Sequence, residues 1–188
     1  MKKIILASNS PRRRELLSGL GCSFEVRVLN GIDESYPDTL LDNEVAAYIS
    51  RVKADAYKAT MADDELIITA DTIVCIDGKV LGKPADEAEA MAMLHSLSGR
   101  THQVYTGVTV VTAENSSTFV SRSDVTFTEL TDEEMRHYVT QYHPMDKAGA
   151  YGIQEWIGYV GIERIEGSYF NVMGLPVQRL YSELKKYL

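Results

Sequence analysis

Cysteine is scarce in this chain. Cys22 and Cys75 lie far apart with no CxxC company, which argues against a disulfide framework or a thiolate zinc site and leaves two small buried hydrophobes. The four histidines, His95, His102, His137 and His143, lack HxxxH spacing, so a histidine-based metal centre is not expected. Long hydrophobic runs are also missing. The apolar stretch after Met1-Lys2-Lys3 stops at Ala7, too short for the core of a signal peptide, and no run approaches a membrane span. The cytoplasm is the expected compartment. Positive charge is in deficit: Lys and Arg total 19 against 27 Asp and Glu, a formal net charge of −8. Duplex DNA or RNA as the main partner would need a broad basic face, so it is disfavoured. A small anion is not, because a local Arg/Lys cluster can hold phosphates on an acidic protein.

What is present reads as globular: 45% of the 188 residues are hydrophobic and 24% charged. One domain over residues 1–188 is expected. Ile4 to Ala7 reads as a short buried strand, Ser10 as a helix N-cap with Pro11 at the first helical position, and Gly21 as the stop. Phe24 to Leu29 alternates like a strand. A polar loop from Gly31 to Leu41 follows, then a helix over 43–58 capped by Asp42, with Val45, Ile49, Val52 and Ala56 on one face. Leu66 to Ala70 reads as a strand ending at Asp71 and continued by Ile73 to Ile76. Asp77-Gly78 marks a hairpin into Lys79-Val80-Leu81. Asp86 to Leu97 reads as a helix closed by Gly99. His102 to Thr112 and Thr118 to Phe127 read as paired strands, and Thr131 with Glu134 as a capping box for a helix to Tyr142. A glycine-rich stretch from Lys147 to Gly174 precedes a helix opened by Pro176 and reaching Tyr187. Alternating strands and helices early, with antiparallel pairs later, predict an α/β fold with a mixed, twisted sheet flanked by helices.

Several segments suggest chemistry. Ala7-Ser8-Asn9-Ser10-Pro11-Arg12-Arg13-Arg14 leads a strand through a polar loop into a helix N-terminus, where free N–H groups and the dipole favour an anion. Three arginines in that first turn oppose the dipole unless something negative binds; the alternative is a solvated charged face. Asp71 interrupts the apolar run Thr69 to Val74, and a buried carboxylate is costly unless paired or bound to a metal. Gly78 to Pro84 resembles a Walker A loop but fails it, with the glycine spacing one residue short and Pro84 where Ser or Thr is required; Lys83 can still reach a phosphate. Asp33 and Glu34 offer oxygen ligands for magnesium, and Lys53 lies beside the apolar stripe of its helix. Gln154 offers both a donor and an acceptor, as reading a pyrimidine edge requires, and Trp156 stacks on a ligand or fills a core.

Taken in order, Leu6 to Arg13, Ala70 to Val74, Gly82-Lys83-Pro84, Leu97-Ser98-Gly99 with Thr101 to Val104, and Asp146 to Gln154 closely resemble the Maf family of nucleoside triphosphate pyrophosphatases. The likeness runs from about residue 4 to residue 181, and the Asp146 to Gln154 segment resembles the branch acting on dTTP and UTP. The resemblance implies an α/β fold related to the inosine triphosphatases (Maf/Ham1), with a cleft between two lobes. It also implies release of pyrophosphate and a nucleoside monophosphate, magnesium or manganese as cofactor, and often a homodimer. It makes Asp71 the proton acceptor; whether Asp71 is base, metal ligand or both stays open. It assigns Ser8, Arg13, Lys53 and Lys83 to phosphate, Glu34 with Asp71 to metal, and Arg12, Thr72 and Gln154 to base choice. Glu155-Trp156 departs from the glycine that commonly follows Gln154 in relatives. CTP and modified pyrimidines are further candidate substrates, and nucleotide-pool cleaning or division arrest the implied roles. The competing expectation is a nucleotide-binding regulator of septum formation without turnover.

Overall fold

A computed structural model describes residues 2–187, so the outermost residues of the expected 1–188 domain lie outside it. Its elements are, in order, β1 (Lys3–Leu6), α1 (Pro11–Ser18), β2 (Phe24–Val26), α2 (Asp42–Lys58), β3 (Glu65–Ile76), β4 (Lys79–Leu81), α3 (Glu87–Leu97), β5 (Thr101–Thr112), β6 (Ser116–Phe127), α4 (Asp132–Tyr142), α5 (Trp156–Gly161), β7 (Ile162–Glu166), α6 (Tyr169–Met173) and α7 (Val177–Leu184). Short 3₁₀ turns cover Pro144–Asp146 and Ala148–Ala150. The strands pair in the order β2-β1-β3-β5-β6-β7, with β4 added to β3. β1 runs parallel to both β2 and β3, while β4 on β3 and β7 on β6 are antiparallel. The sheet is therefore mixed, as the sequence pattern predicts.

The chain divides into two compact units. The first holds Met1–Asp71, Thr106–Ser121 and Gly174–Leu188. Its apolar centre gathers Ile5, Ala7, Ala54, Tyr57, Ile67 and Val111. Here β1 and the first half of β3 bury both faces, which explains their near-continuous apolar sequence. α2 turns Val45, Ala46, Ala47, Ile49, Ser50, Ala54 and Tyr57 inward. Gly107 on β5 lets that helix approach: a Cβ there would lie 2.3 Å from the Ala46 carbonyl oxygen. The second unit holds Thr72–Tyr105 and Arg122–Met173. Val74, Leu94, Leu97, Val125, Phe127, Met135 and Tyr138 lie at its centre.

The local capping and turn signals are mostly realised. Ser10 accepts from the Arg13 N–H at 3.4 Å. Asp86 accepts from the Glu89 N–H at 2.8 Å, and Thr131 and Glu134 cap each other. Asp77 (φ 52°) and Gly78 (φ 73°) make the left-handed pair that a two-residue hairpin requires. Other expectations need correction. Leu41, not Asp42, occupies the N-cap of α2, and its N–H is satisfied by Glu44 from inside the helix at 3.0 Å. α1 ends at Ser18 rather than running to Gly21, β2 stops at Val26 because only those residues pair with β1, and α7 stops at Leu184. β6 starts at Ser116, ahead of the expected Thr118. Asp71 does not end a strand: β3 continues unbroken through it. The glycine-rich stretch contains α5, β7 and α6, elements too short to impose a periodicity.

Candidate active site

In the first unit, four expected site residues come together. Lys53, one turn beyond the buried Ser50 on α2, donates to Asp71 Oδ1 at 2.8 Å, and the same Nζ lies 3.1 Å from Glu34 Oε2. Lys53 and Asp71 are each 14% exposed at the side chain, whereas Glu34 is 49% exposed. Arg13 donates from Nε to the Gly174 carbonyl at 2.8 Å. Burial pushes the Arg13 guanidinium down from its ordinary pKa, the charges of Asp71 and Glu34 pull it back up, and Arg12 pushes it down again. A guanidinium does not deprotonate in a protein. It therefore keeps its charge beside Asp71 and Glu34.

The scaffold under these groups is a run of hydroxyls that the sequence did not single out. Thr69 Oγ1 donates to the Ser50 carbonyl at 2.7 Å, Ser50 Oγ is 2.9 Å from Thr109 Oγ1, and Thr109 Oγ1 is 2.9 Å from Thr118 Oγ1. Thr69, Ser50 and Thr109 are buried, so each hydroxyl needs its partner, and together they fix α2 against β5 and against β3, the strand that carries Asp71. Ser8 is buried at 8% exposure, and its Oγ accepts from the Ser10 N–H at 3.2 Å, which shapes the loop before α1. Arg12 is half-buried and Arg14 exposed. Asp33 accepts from the Ser35 N–H at 2.9 Å, holding the loop that presents Glu34.

Thr72, Lys83 and Gln154 belong to the second unit. Thr72 follows Asp71 along β3 and is half-buried; Lys83 is exposed after β4. The neighbouring Gly82 carbonyl accepts from the Gly149 N–H at 3.0 Å, linking the Gly82-Lys83-Pro84 segment to the stretch that leads to Gln154. Gln154 Oε1 is buried and has no hydrogen-bond partner. His102 is fully buried, shares a 2.7 Å hydrogen bond with the Tyr151 hydroxyl, and is flanked edge-on by Phe127. Trp156 packs on the core of this unit, edge-on to His137 at 4.9 Å, so the core-filling alternative holds for it. Cys75 is buried and Cys22 half-buried. Among the described residues, no group of three or more His, Cys, Asp or Glu side chains gathers to hold a metal ion. No helix among them is long and apolar enough to cross a membrane.

The family model described as Maf-like protein matches residues 3–187. This chain belongs to the Maf family. Curated Maf relatives named dTTP/UTP pyrophosphatase include one from Phocaeicola vulgatus, 63% identical over 98% of this chain and 95% of its own. Another, from Bacteroides thetaiotaomicron, is 60% identical over the same shares of both chains. Among solved structures, a HAM1 protein from Coxiella burnetii is similar over 99% of this chain and 100% of that one, at 17% identity and a TM-score of 0.48. The Maf resemblance read from the ordered motifs thus holds over nearly the whole chain.

Proposed function

We propose that this chain hydrolyses dTTP and UTP between the α and β phosphates, giving the nucleoside monophosphate and pyrophosphate, with CTP or modified pyrimidine nucleotides as further candidate substrates. The observation that carries the reading is the convergence of Glu34 and Asp71 on the Lys53 ammonium beside the half-buried Arg13. The names of the close relatives support it.

Two carboxylates already sharing one cation are a suitable donor set for a hard divalent ion, so Mg²⁺ or Mn²⁺ fits these residues, with Glu34 and Asp71 as its ligands. Bound there, the ion would supply charge neutralisation to the departing pyrophosphate. Arg13, Lys53, Lys83 and the loop around Ser8 hold the phosphates. Asp71 takes the proton of the attacking water: Oδ1 is engaged by Lys53, and the carboxylate has Oδ2 for the proton. The water oxygen forms a bond to the α phosphorus as the bond to the bridging oxygen of the β phosphate breaks. Base choice falls to Arg12, Thr72 and Gln154, whose buried acceptor penalises a base that leaves it unpaired.

Residues 1–188 act as one catalytic domain in this proposal, and a homodimer is its working assembly. Tyr159, Val160 and Phe170, exposed at 84%, 42% and 46%, provide apolar surface for the partner. A cytoplasmic setting, where nucleoside triphosphates are made and used, suits the reaction. Pool cleaning or division arrest would follow from removing such nucleotides.

The test is product analysis. The purified chain is incubated with dTTP, UTP, CTP and purine triphosphates, each with Mg²⁺, with Mn²⁺ or with EDTA. Pyrophosphate and monophosphate from dTTP and UTP are expected with metal. Release of single phosphate refutes the reading. Tight nucleotide binding without any turnover would favour the regulator of septum formation, a reading that gives Asp71 and Glu34 no reason to sit beside phosphate-binding cations.

A further inference from the structure

Tyr138, Lys147 and Glu155 form a closed polar cluster in the second unit. The Tyr138 hydroxyl, on a side chain with 0% exposure, accepts from the Gly152 N–H at 2.9 Å and donates to the Glu155 carboxylate. Glu155 Oε1 lies 3.1 Å from Lys147 Nζ, which also donates to Asp146 at 2.8 Å. Glu155 stands at the N-cap of α5 yet makes no side-chain cap. Its carboxylate is committed to Tyr138 and Lys147 instead. Its own N–H donates to the Gly152 carbonyl at 3.0 Å, closing a four-residue turn from Gly152 to Glu155. Gly152 is therefore held at both backbone groups, its N–H by Tyr138 and its C=O by Glu155. A Cβ at Gly152 would lie 2.9 Å from the Glu155 Cδ and 3.0 Å from the Lys147 Cε, so any side chain there would displace both partners.

Gln154 is the third residue of that turn, and its buried Oε1 has no partner. A free glutamine amide is a poor discriminator between uracil-type and cytosine edges. Its donor and acceptor match the O4 and N3–H of one, and after a half-rotation they match the N3 and N4–H of the other. The two orientations interconvert by rotation of the amide itself, so discrimination requires surroundings that hold it in one of them, and a fixed turn beneath Gln154 is the first condition for that.

We propose that Glu155, with Tyr138 and Lys147, is a positioning residue for base choice: it locks the Gly152 to Glu155 turn so that Gln154 presents its acceptor oxygen to the N3–H of a thymine or uracil. The proposal rests on the pyrimidine triphosphatase reading above and deepens it.

The test compares wild type with Glu155→Ala, Tyr138→Phe and Glu155→Gln. The measured quantity is the ratio of kcat/KM for dTTP to that for CTP. Both values come from one preparation, so the ratio is independent of the fraction folded. Glu155→Ala and Tyr138→Phe are expected to lower it on the order of tenfold, mainly through a higher KM for dTTP. Glu155→Gln keeps an oxygen that accepts from Tyr138 and should restore most of it. An unchanged ratio in both Glu155→Ala and Tyr138→Phe overturns the proposal. If the wild-type chain cleaves no nucleotide, the catalytic reading alone fails. The preference for dTTP over CTP is then measured by equilibrium binding in EDTA, where a lowered preference in the two variants supports the positioning role and an unchanged one overturns it.

Discussion

The Lys53 ammonium holds Asp71 at 2.8 Å in the middle of an unbroken strand, and the pair is mostly shielded from water. Mid-strand placement gives the carboxylate a fixed backbone, and the lysine fixes which oxygen is engaged. Asp71→Asn keeps the size and an oxygen that accepts from Lys53 but loses the proton-accepting charge. Turnover of dTTP should fall about 10²- to 10⁴-fold while nucleotide binding persists. Pyrophosphate release and equilibrium binding on the same protein decide this, and near-normal turnover removes Asp71 as the base.

Glu34 is the more exposed member of the acidic pair and lies on a loop rather than a strand. Glu34→Gln leaves Asp71 as the only charged oxygen donor of the pair. The Mg²⁺ concentration giving half-maximal activity should then rise on the order of tenfold. Titrating metal at saturating dTTP reads it. An unaltered metal requirement would show that Glu34 only balances the charge of Lys53.

How legible this site was depended on the range of each signal. The Ser10 cap, the Asp77-Gly78 turn and the Thr131/Glu134 box act over a few residues and were readable directly. Asp71 stood out because a charge inside an apolar run is costly, yet the pattern suggested a strand end. The next residues, Thr72 and Ile73, are as compatible with a restart as with a continuation, and only the pairing of the whole strand decides. Ser50 and Thr109, 59 residues apart in sequence, have no local signature at all, because a hydroxyl bond across two elements exists only once they pack. The Tyr138–Glu155 bond is hidden for the same reason. For Lys83 and Gln154 the sequence offered chemical suitability, a cation and a donor–acceptor pair, and the family resemblance added the expected assignment to phosphate and base.

Gly107 makes the position of α2 testable. A Cβ there would sit 2.3 Å from the Ala46 oxygen and 2.5 Å from the Ala47 nitrogen, both backbone atoms that cannot swing aside. Gly107→Ala should therefore cost about 3 kcal/mol or more. It should also reduce turnover in the protein that remains folded, because the displaced helix carries Lys53. Chemical denaturation and kcat measured together check this. A variant with wild-type stability and rate would mean that α2 does not pack on β5 at this point.

His102 predicts a pH dependence of stability. Burial lowers its folded pKa to about 4 from 6.5, the nearby Asp124 raising it only in part. The folded protein therefore keeps a neutral imidazole where the unfolded chain takes up a proton. Between pH 6.5 and 4 the unfolded state binds more protons, so stability falls as the solution is acidified through that window. The loss at pH 4 is of order 3 kcal/mol. Glu65 acts lower down. Its hydrogen bonds with Arg27 hold its pKa at about 2, so its contribution is intact above 4.5 and disappears as pH falls toward 2. The two windows barely overlap, which makes the histidine separable. Urea denaturation of wild type and His102→Gln from pH 7 to 4.5 should show a slope in wild type that the variant lacks. Equal slopes would place the acid sensitivity elsewhere, because glutamine cannot titrate and the Glu65 pair is untouched in both proteins.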